Sequence, residues 1–141
     1  MDDDSSNLMS ILNSLRNDAG FLENITYWQD EPSKSPAYGS FPSTLHPDLV
    51  KVLTDLEISR PYAHQEKAIS LIEQKKNIVL STGTASGKSL CYQIPIIDRL
   101  IQDQNSNALL MFPTKALTND QLNNLRLLIP DGFKSSIIPA V

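Results

Sequence analysis

One stretch of small and polar residues decides the fold, and it reads Thr82-Gly83-Thr84-Ala85-Ser86-Gly87-Lys88-Ser89. The five residues before it, 77–81, are mostly apolar and predict a short buried strand. From Leu90 onward, apolar residues recur at helical spacing. A strand, a loop of small residues, Gly-Lys-Ser and a helix together form the layout of a phosphate-binding P-loop.

Each residue type in this stretch has a physical task at a phosphate site. Small residues let successive backbone N–H groups turn inward around phosphate oxygens, and the start of the following helix adds partial positive charge. The ammonium group of Lys88 can reach the outer phosphates, and the hydroxyl of Ser89 can ligate Mg²⁺. The general pattern has Gly at the position of Thr82, so an ordinary strand-turn-helix that contains Gly-Lys-Ser by chance is the alternative.

The composition predicts a soluble chain with one core. Of 141 residues, 40% are hydrophobic, and no apolar run is long enough for a membrane span. The start, Met1 followed by three aspartates, does not resemble a secretory signal. The single cysteine, Cys91, excludes an internal disulfide framework and fits a reducing compartment, so we expect a cytoplasmic or nuclear location.

The charge distribution separates an acidic arm from the rest of the chain. Residues 1–40 carry two basic and seven acidic side chains, a charge of −5, within a net charge of −4. The chain therefore lacks the overall basic character of many nucleic-acid binders, but the region around the P-loop is nearly neutral.

The order of elements predicts an α/β fold. Helices are expected over 8–15, 47–56, 63–74, 88–102 and 116–128, and strands over 77–81, 108–112 and 136–141. This alternation predicts a parallel sheet with helices on both faces. Residues 21–45 combine five aromatic residues with three prolines, which favours an extended segment anchored by its rings. We therefore divide the chain into a helical and extended N-terminal arm, 1–45, and a P-loop domain, 46–141.

Three segments together resemble superfamily-two helicases of the DEAD/DEAH-box type. They are Tyr62-Ala63-His64-Gln65 upstream, the P-loop, and Pro113-Thr114-Lys115-Ala116-Leu117 downstream. The motif Thr-Ala-Ser-Gly-Lys-Ser-Leu-Cys-Tyr, residues 84–92, is similar to the P-loop sequence of RecQ-like repair helicases related to the bacterial mitomycin-repair-factor type. The resemblance covers roughly residues 21–141. P-loops of this family commonly begin with Ala or Thr, which accounts for Thr82, whereas Ala85 replaces a usual Gly.

For the nucleotide, the resemblance implies ATP and Mg²⁺ bound by an incomplete RecA-like domain. Gln65 would read adenine, because its amide offers a donor and an acceptor to the N6 and N7 edge. Tyr62 or Arg60 would stack on the base, and His64 either borders the pocket or serves as a surface or capping residue. Lys88 and Ser89 would be catalytic, with Mg²⁺ on Ser89. The nucleotide-binding set is Gln65, Tyr62, Thr82, Gly83, Thr84, Ala85, Ser86, Gly87, Lys88 and Ser89.

For the nucleic acid, the resemblance implies that Thr114, Lys115 and Ala116 contact strand phosphates at a helix start. DNA is expected rather than RNA, in a 3′-to-5′ repair helicase. After residue 90 no Asp-Glu pair follows an apolar run, so we expect the N-terminal part of a longer helicase that lacks its second RecA-like domain and is inactive alone. The alternatives are another P-loop protein, such as a kinase or transporter ATPase, and a non-enzymatic binding module.

Overall fold

The computed structural model describes residues 3–29, 35–83 and 86–140, which fall into two compact units, Met1–Ser35 and Pro36–Val141. The first unit contains α1 (Asp3–Asn17) and α2 (Ala19–Leu22). The carboxylate of Asp18 caps α2 by accepting the amide of Phe21 over 2.9 Å. The helix predicted over 8–15 is confirmed within α1.

The second unit contains four longer helices and a short 3-10 helix, Asp131–Phe133. The helices are α3 (Pro47–Asp55), α4 (Ala63–Glu73), α5 (Leu90–Gln102) and α6 (Lys115–Leu127). Each confirms a predicted helix, with ends that differ by at most two residues. None of the helices in the described part of the chain has the length and apolarity that a membrane crossing requires.

The first residues of α3 connect it to α5. Pro47 occupies the first turn, where the missing N–H costs nothing, and His46 precedes it as the cap. The ring nitrogen Nδ1 of His46 accepts the amide of Asp48 over 3.3 Å. The backbone amide of His46 also donates to the carboxylate of Asp98 on α5 over 2.7 Å. Both the start of α3 and its position against α5 are therefore fixed by His46.

The core lies between the inward faces of these helices. Side chains at helical spacing are fully buried on α3 and α5, and one on α4 joins them; they are Leu49, Leu53, Ile69, Ile94 and Ile97. Burying one such aliphatic side chain stabilises the fold by about 1.5–3 kcal/mol. Leu125 and Leu128 extend the core toward the end of α6. This packing holds α4 and α5, which flank the P-loop, against each other.

The parallel sheet predicted from the sequence is not found among residues 3–29, 35–83 and 86–140, where no β-strand is present. Segments 77–81, 108–112 and 137–140 have no regular secondary structure and no ladder pairing, Ser136 lies in a turn, and Val141 lies outside the described residues. Val79 is 97% exposed and Leu109 is 85% exposed, so no described helix covers these two side chains. Apolar alternation identifies candidate strands, but a strand also needs a partner about 4.7–4.9 Å away in register, which a pattern cannot supply.

One isolated antiparallel bridge joins Tyr38 to Tyr62. The amide of Gly39 donates to the carbonyl of Pro61 over 2.9 Å, and the amide of Ala63 donates to the carbonyl of Ala37 over 2.8 Å. The anchoring expected of the aromatic segment is found here at Tyr38. The bridge also brings its ring to the start of α4, beside the P-loop.

Candidate nucleotide-binding site

The turn that ends the P-loop requires glycine. Gly87 has a φ of +69°, in the left-handed region that L side chains rarely adopt. A Cβ at this position would also lie 2.5 Å from Nε2 of Gln65, closer than atoms can approach. The backbone conformation therefore favours glycine, and a larger residue would also displace the amide of Gln65. Thr84 and Ala85, also predicted to bind the nucleotide, lie outside the described residues.

The ammonium group of Lys88 lies against the loop itself. It donates to the carbonyl of Thr82 over 3.1 Å and to that of Gly83. The hydroxyls of Thr82 and Ser86 share a hydrogen bond of 2.7 Å across the loop. Lys88 is half-buried, and within the described part of the chain no carboxylate forms an ion pair with it. A cation held only by carbonyl oxygens remains suited to binding an anion.

Gln65 is the buried polar residue of this site, with 2% of its surface exposed. Its Nε2 donates to the carbonyl of Gly87 over 2.9 Å, and its Oε1 accepts the amide of Tyr62 over 2.8 Å. The sequence-predicted base reader and the Gly-Lys-Ser turn are therefore in direct contact. An amide group offers two N–H donors and two acceptor lone pairs, so each atom keeps one further hydrogen-bonding position.

Rings cluster beside this contact. Tyr62 stacks on Tyr38, with centroids 5.1 Å apart, and on His64, with centroids 5.8 Å apart. The guanidinium of Arg60 lies 4.6 Å from the centroid of the Tyr38 ring. Both residues proposed to stack on a base, Tyr62 and Arg60, thus make ring contacts within the protein. His64 also contacts the P-loop, because its ring nitrogen Nε2 lies 2.9 Å from the carbonyl oxygen of Ser86.

Ser89 immediately precedes α5 and is half-buried. Its carbonyl accepts the amides of Tyr92 over 3.2 Å and Gln93 over 2.9 Å. Cys91, in the first turn, is fully buried. Burial raises the pKa of its thiol, outweighing its own backbone hydrogen bond and the charge of Lys88, which both lower that pKa. Cys91 is therefore a protonated packing residue at neutral pH.

The predicted nucleic-acid contacts lie at the start of α6. The hydroxyl oxygen of Thr114 caps the helix by accepting the amide of Leu117 over 3.2 Å. Thr114, Lys115 and Ala116 are all exposed. The first amides of a helix have no intrahelical acceptor, so this turn presents donors to the surface.

A polar link between α5 and α6 was not found from the sequence. The hydroxyl of Tyr92 donates to Oε1 of Gln121 over 2.6 Å, and Nε2 of Gln93 donates to the same oxygen over 3.3 Å. Helical spacing indicates that Tyr92 lies one turn after Ser89. Nothing in a single sequence pairs it with a glutamine 29 residues later.

Comparisons with known proteins match the regions that hold these contacts. The family model described as DEAD/DEAH box helicase matches residues 62–138. The uncharacterized ATP-dependent helicase YprA of Bacillus subtilis is 32% identical over 120 residues, which cover 85% of this chain and 16% of YprA. ATP-dependent helicase hrq1 of Schizosaccharomyces pombe is 40% identical over 95 residues, covering 67% of this chain and 9% of hrq1.

A solved structure matches the backbone as well. The crystal structure of the DUF1998 helicase MrfA bound to DNA and AMPPNP is similar with a TM-score of 0.78 and 29% sequence identity. The match covers 85% of this chain and 16% of the MrfA chain. This chain therefore spans about a sixth of YprA and of MrfA, and less of hrq1.

Proposed function

Because the chain belongs to the DEAD/DEAH box helicase family, we propose that it supplies the ATP-binding part of an ATP-dependent helicase. The contact that supports this proposal is the 2.9 Å hydrogen bond from Gln65 to the carbonyl of Gly87, the residue before Lys88. Since the chain spans 16% of YprA, ATP turnover and strand separation are proposed for the full-length protein.

The P-loop contacts support binding of a triphosphate with its Mg²⁺. Lys88 would exchange the carbonyls of Thr82 and Gly83 for outer phosphate oxygens, and the hydroxyl of Ser89 would hold the metal. Mg²⁺ bound there would neutralise charge on the phosphates. The backbone from Thr82 to Ser89, with Gly87 in its left-handed conformation, would cradle the phosphates with N–H groups.

Gln65, which is 2% exposed, would recognise adenine once the loop moves to admit the base. Its Nε2 has a second hydrogen and its Oε1 a second lone pair, which suit the N7 acceptor and the N6 amino group of adenine. Tyr62, held in its stack with Tyr38 and His64, would border the base.

The exposed start of α6 supports a contact with a nucleic-acid backbone through Thr114, Lys115 and Ala116. We propose DNA as the strand, because the structurally similar MrfA is described as bound to DNA. A role in DNA repair, inside the cell, follows from the resemblance to RecQ-like repair helicases. Within the full-length protein, segments 77–81, 108–112 and 136–141 would form strands of a parallel RecA-like sheet, over residues 46–141, with residues 1–45 as an arm.

The experiment that tests the proposal measures ATP turnover of the full-length protein with and without single-stranded DNA. Lys88→Ala should lower DNA-stimulated turnover by about a hundredfold or more, because it removes a cation from the transferring phosphoryl group. Lys76→Ala, which changes an exposed lysine beyond α4, is the matched control and should keep wild-type turnover. Retained turnover in Lys88→Ala would overturn the assignment.

Two further measurements separate the alternatives. A kinase or transporter ATPase would turn over ATP without any response to DNA, and a non-enzymatic module would not turn it over at all.

For the strand contact, Lys115→Ala should weaken DNA binding and reduce the slope of log affinity against log salt by about one. Lys67→Ala, at an exposed position on α4, should leave that slope unchanged. Single-stranded RNA of the same length tests the preference for DNA.

A further inference from the structure

We infer that Gln121 couples the nucleotide site to the nucleic-acid site by joining the helix after the P-loop to the helix that begins at Thr114. The inference rests on the proposed function and adds to it a route by which a bound strand changes ATP turnover. Coupling of this kind requires a physical connection and an element with two arrangements, and the structure offers a candidate for each.

The connection is one side-chain oxygen shared by two donors. Oε1 of Gln121, on α6, accepts the hydroxyl of Tyr92 over 2.6 Å and Nε2 of Gln93 over 3.3 Å, both from α5. Gln93 is 2% exposed, and Tyr92 and Gln121 are half-buried. Because water has little access to this link, a lost hydrogen bond here is poorly replaced by solvent. Relative movement of α5 and α6 is therefore opposed at this point.

On the nucleotide side, both donors connect directly to Ser89. Its carbonyl accepts the backbone amides of Tyr92 over 3.2 Å and Gln93 over 2.9 Å. Ser89 is the residue proposed to hold Mg²⁺, and it adjoins Lys88. A displacement at the end of the P-loop is thus passed to Tyr92 and Gln93 together, within one helical turn.

On the nucleic-acid side, Gln121 belongs to the helix whose first turn carries the proposed phosphate contacts. The carbonyl of Thr114 accepts both the amide and the hydroxyl of Thr118 over 3.0 Å. Gln121 lies three residues beyond Thr118, a separation that puts the two side chains on one face of a helix. A strand that pulls on Thr114 or Lys115 therefore shifts Gln121 with the same rigid helix.

The element with two arrangements is the P-loop. The ammonium group of Lys88 is bonded to the carbonyls of Thr82 and Gly83, and a phosphate can engage it only when those bonds are exchanged. The free and nucleotide-bound loops therefore differ at the side chain of Lys88, which adjoins Ser89. A ligand at α6 that favours one of these arrangements through Gln121 changes its population.

The test compares the stimulation factor, the ratio of ATP turnover with saturating single-stranded DNA to turnover without it, in the full-length protein. Gln121→Met removes the acceptor at similar volume. We expect turnover without DNA to stay within about twofold and the stimulation factor to fall at least about fivefold, the lower bound of typical coupling. Asn123→Ala, at an exposed position on the same helix, should keep the wild-type factor.

Tyr92→Phe removes one donor and leaves the bond from Gln93 in place, so it tests the same link with a smaller risk to folding. It should lower the stimulation factor in the same direction but by less. The double variant should be no worse than Gln121→Met alone, because both changes act through one oxygen. Additive losses in the double variant would overturn a shared link.

The outcomes distinguish this inference from the function on which it rests. If DNA stimulates wild type and Gln121→Met equally, the coupling is overturned and the helicase assignment stands. A lower unfolding midpoint with an unchanged stimulation factor means that the link only stabilises the fold, which also overturns it. If wild-type turnover does not respond to DNA, the proposed function fails, and the coupling fails with it.

Discussion

Nε2 of Gln65 donates to the backbone carbonyl of Gly87 over 2.9 Å, while Oε1 of the same side chain accepts the amide of Tyr62 over 2.8 Å. One buried amide thus joins the start of α4 to the turn before Lys88. A glutamine carries both functions because it has a donor and an acceptor at a fixed separation. The same contact explains the need for glycine at position 87, where a Cβ would meet Nε2 at 2.5 Å.

Gln65→Glu tests this relationship with little change in volume. The carboxylate keeps an acceptor for the amide of Tyr62 but turns an oxygen toward the carbonyl of Gly87, where a donor is needed. We expect the free energy of unfolding to fall by about 1–3 kcal/mol, the usual cost of an unmet buried hydrogen bond. Binding of AMPPNP, measured by calorimetry, should weaken about tenfold or more.

The control for that prediction is Gln74→Glu, an exposed glutamine that caps the other end of α4. It should change the free energy of unfolding by less than about 0.5 kcal/mol. If Gln65→Glu were as stable as wild type and bound AMPPNP equally well, the bond to Gly87 would have no part in holding the loop.

Local patterns were enough to predict the helices. Leu49 and Leu53 lie on one turn-spaced face, and a proline at position 47 marks the helix start, so the signals for α3 are contained within it. The nearness of Gln65 to the P-loop was implied by the family resemblance, whereas its hydrogen bond to Gly87 was not predicted. These are properties of segments shorter than about 30 residues.

The lack of strand pairing in the described residues and the link at Gln121 could not be predicted in the same way. Segments 77–81 and 108–112 have the apolar content of strands, but pairing depends on neighbours that each segment does not encode. Tyr92 and Gln121, which lie 29 residues apart in the sequence, meet through side chains of two helices. Contacts between distant segments are decided by the whole packed core, and a single sequence shows only their residue types.

Two helices end on residues in the left-handed conformation that are not glycine. Glu57 follows α3 with a φ of 61°, and Lys75 follows α4 with a φ of 60°. The amide of Lys75 donates to the carbonyl of Ile72 over 2.8 Å, and the amide of Lys76 donates to the carbonyl of Leu71 over 3.0 Å. These two hydrogen bonds form the pattern of a Schellman motif.

Lys75→Gly should therefore stabilise the protein. An L residue in this conformation costs about 1–2 kcal/mol, part of which is offset by the greater freedom of glycine in the unfolded chain. We expect a net gain of about 0.5–1 kcal/mol in the free energy of unfolding, measured by urea denaturation. Lys67→Gly, inside α4, is the matched control and should lose about 1 kcal/mol. A loss in Lys75→Gly would contradict the strain at this position.

The carboxylate of Asp103 has a low pKa for a local reason. It accepts the hydroxyl of Ser106 over 2.8 Å, the amide of Asn105 over 3.1 Å and Nη2 of Arg99 over 2.8 Å. These contacts lower the pKa of Asp103, with the hydroxyl of Ser106 as the largest cause.

Ser106→Ala should raise the pKa of Asp103 toward its ordinary value, as measured by carbon-detected NMR titration. Because the folded pKa lies below the unfolded one, this carboxylate contributes stability that is complete above the unfolded pKa and is lost as the pH falls through the folded pKa. The difference in unfolding free energy between wild type and Ser106→Ala should therefore shrink in acid. An unchanged pKa in the variant would assign the shift to Asn105 and Arg99 instead.

Cys91 reports on the start of α5 through its reactivity. Its thiol is fully buried, and burial raises its pKa, so both exposure and the thiolate fraction are low at pH 8. We expect Ellman's reagent to react with the native protein at least about a hundredfold more slowly than with the urea-unfolded chain, since reaction requires local opening of the helix. AMPPNP should slow it further, because a ligand that engages Lys88 and Ser89 stabilises the closed first turn. If the thiol reacted as fast in the native protein as in the unfolded chain, this turn of α5 would be open in solution. The helical position of Ser89 would then be contradicted.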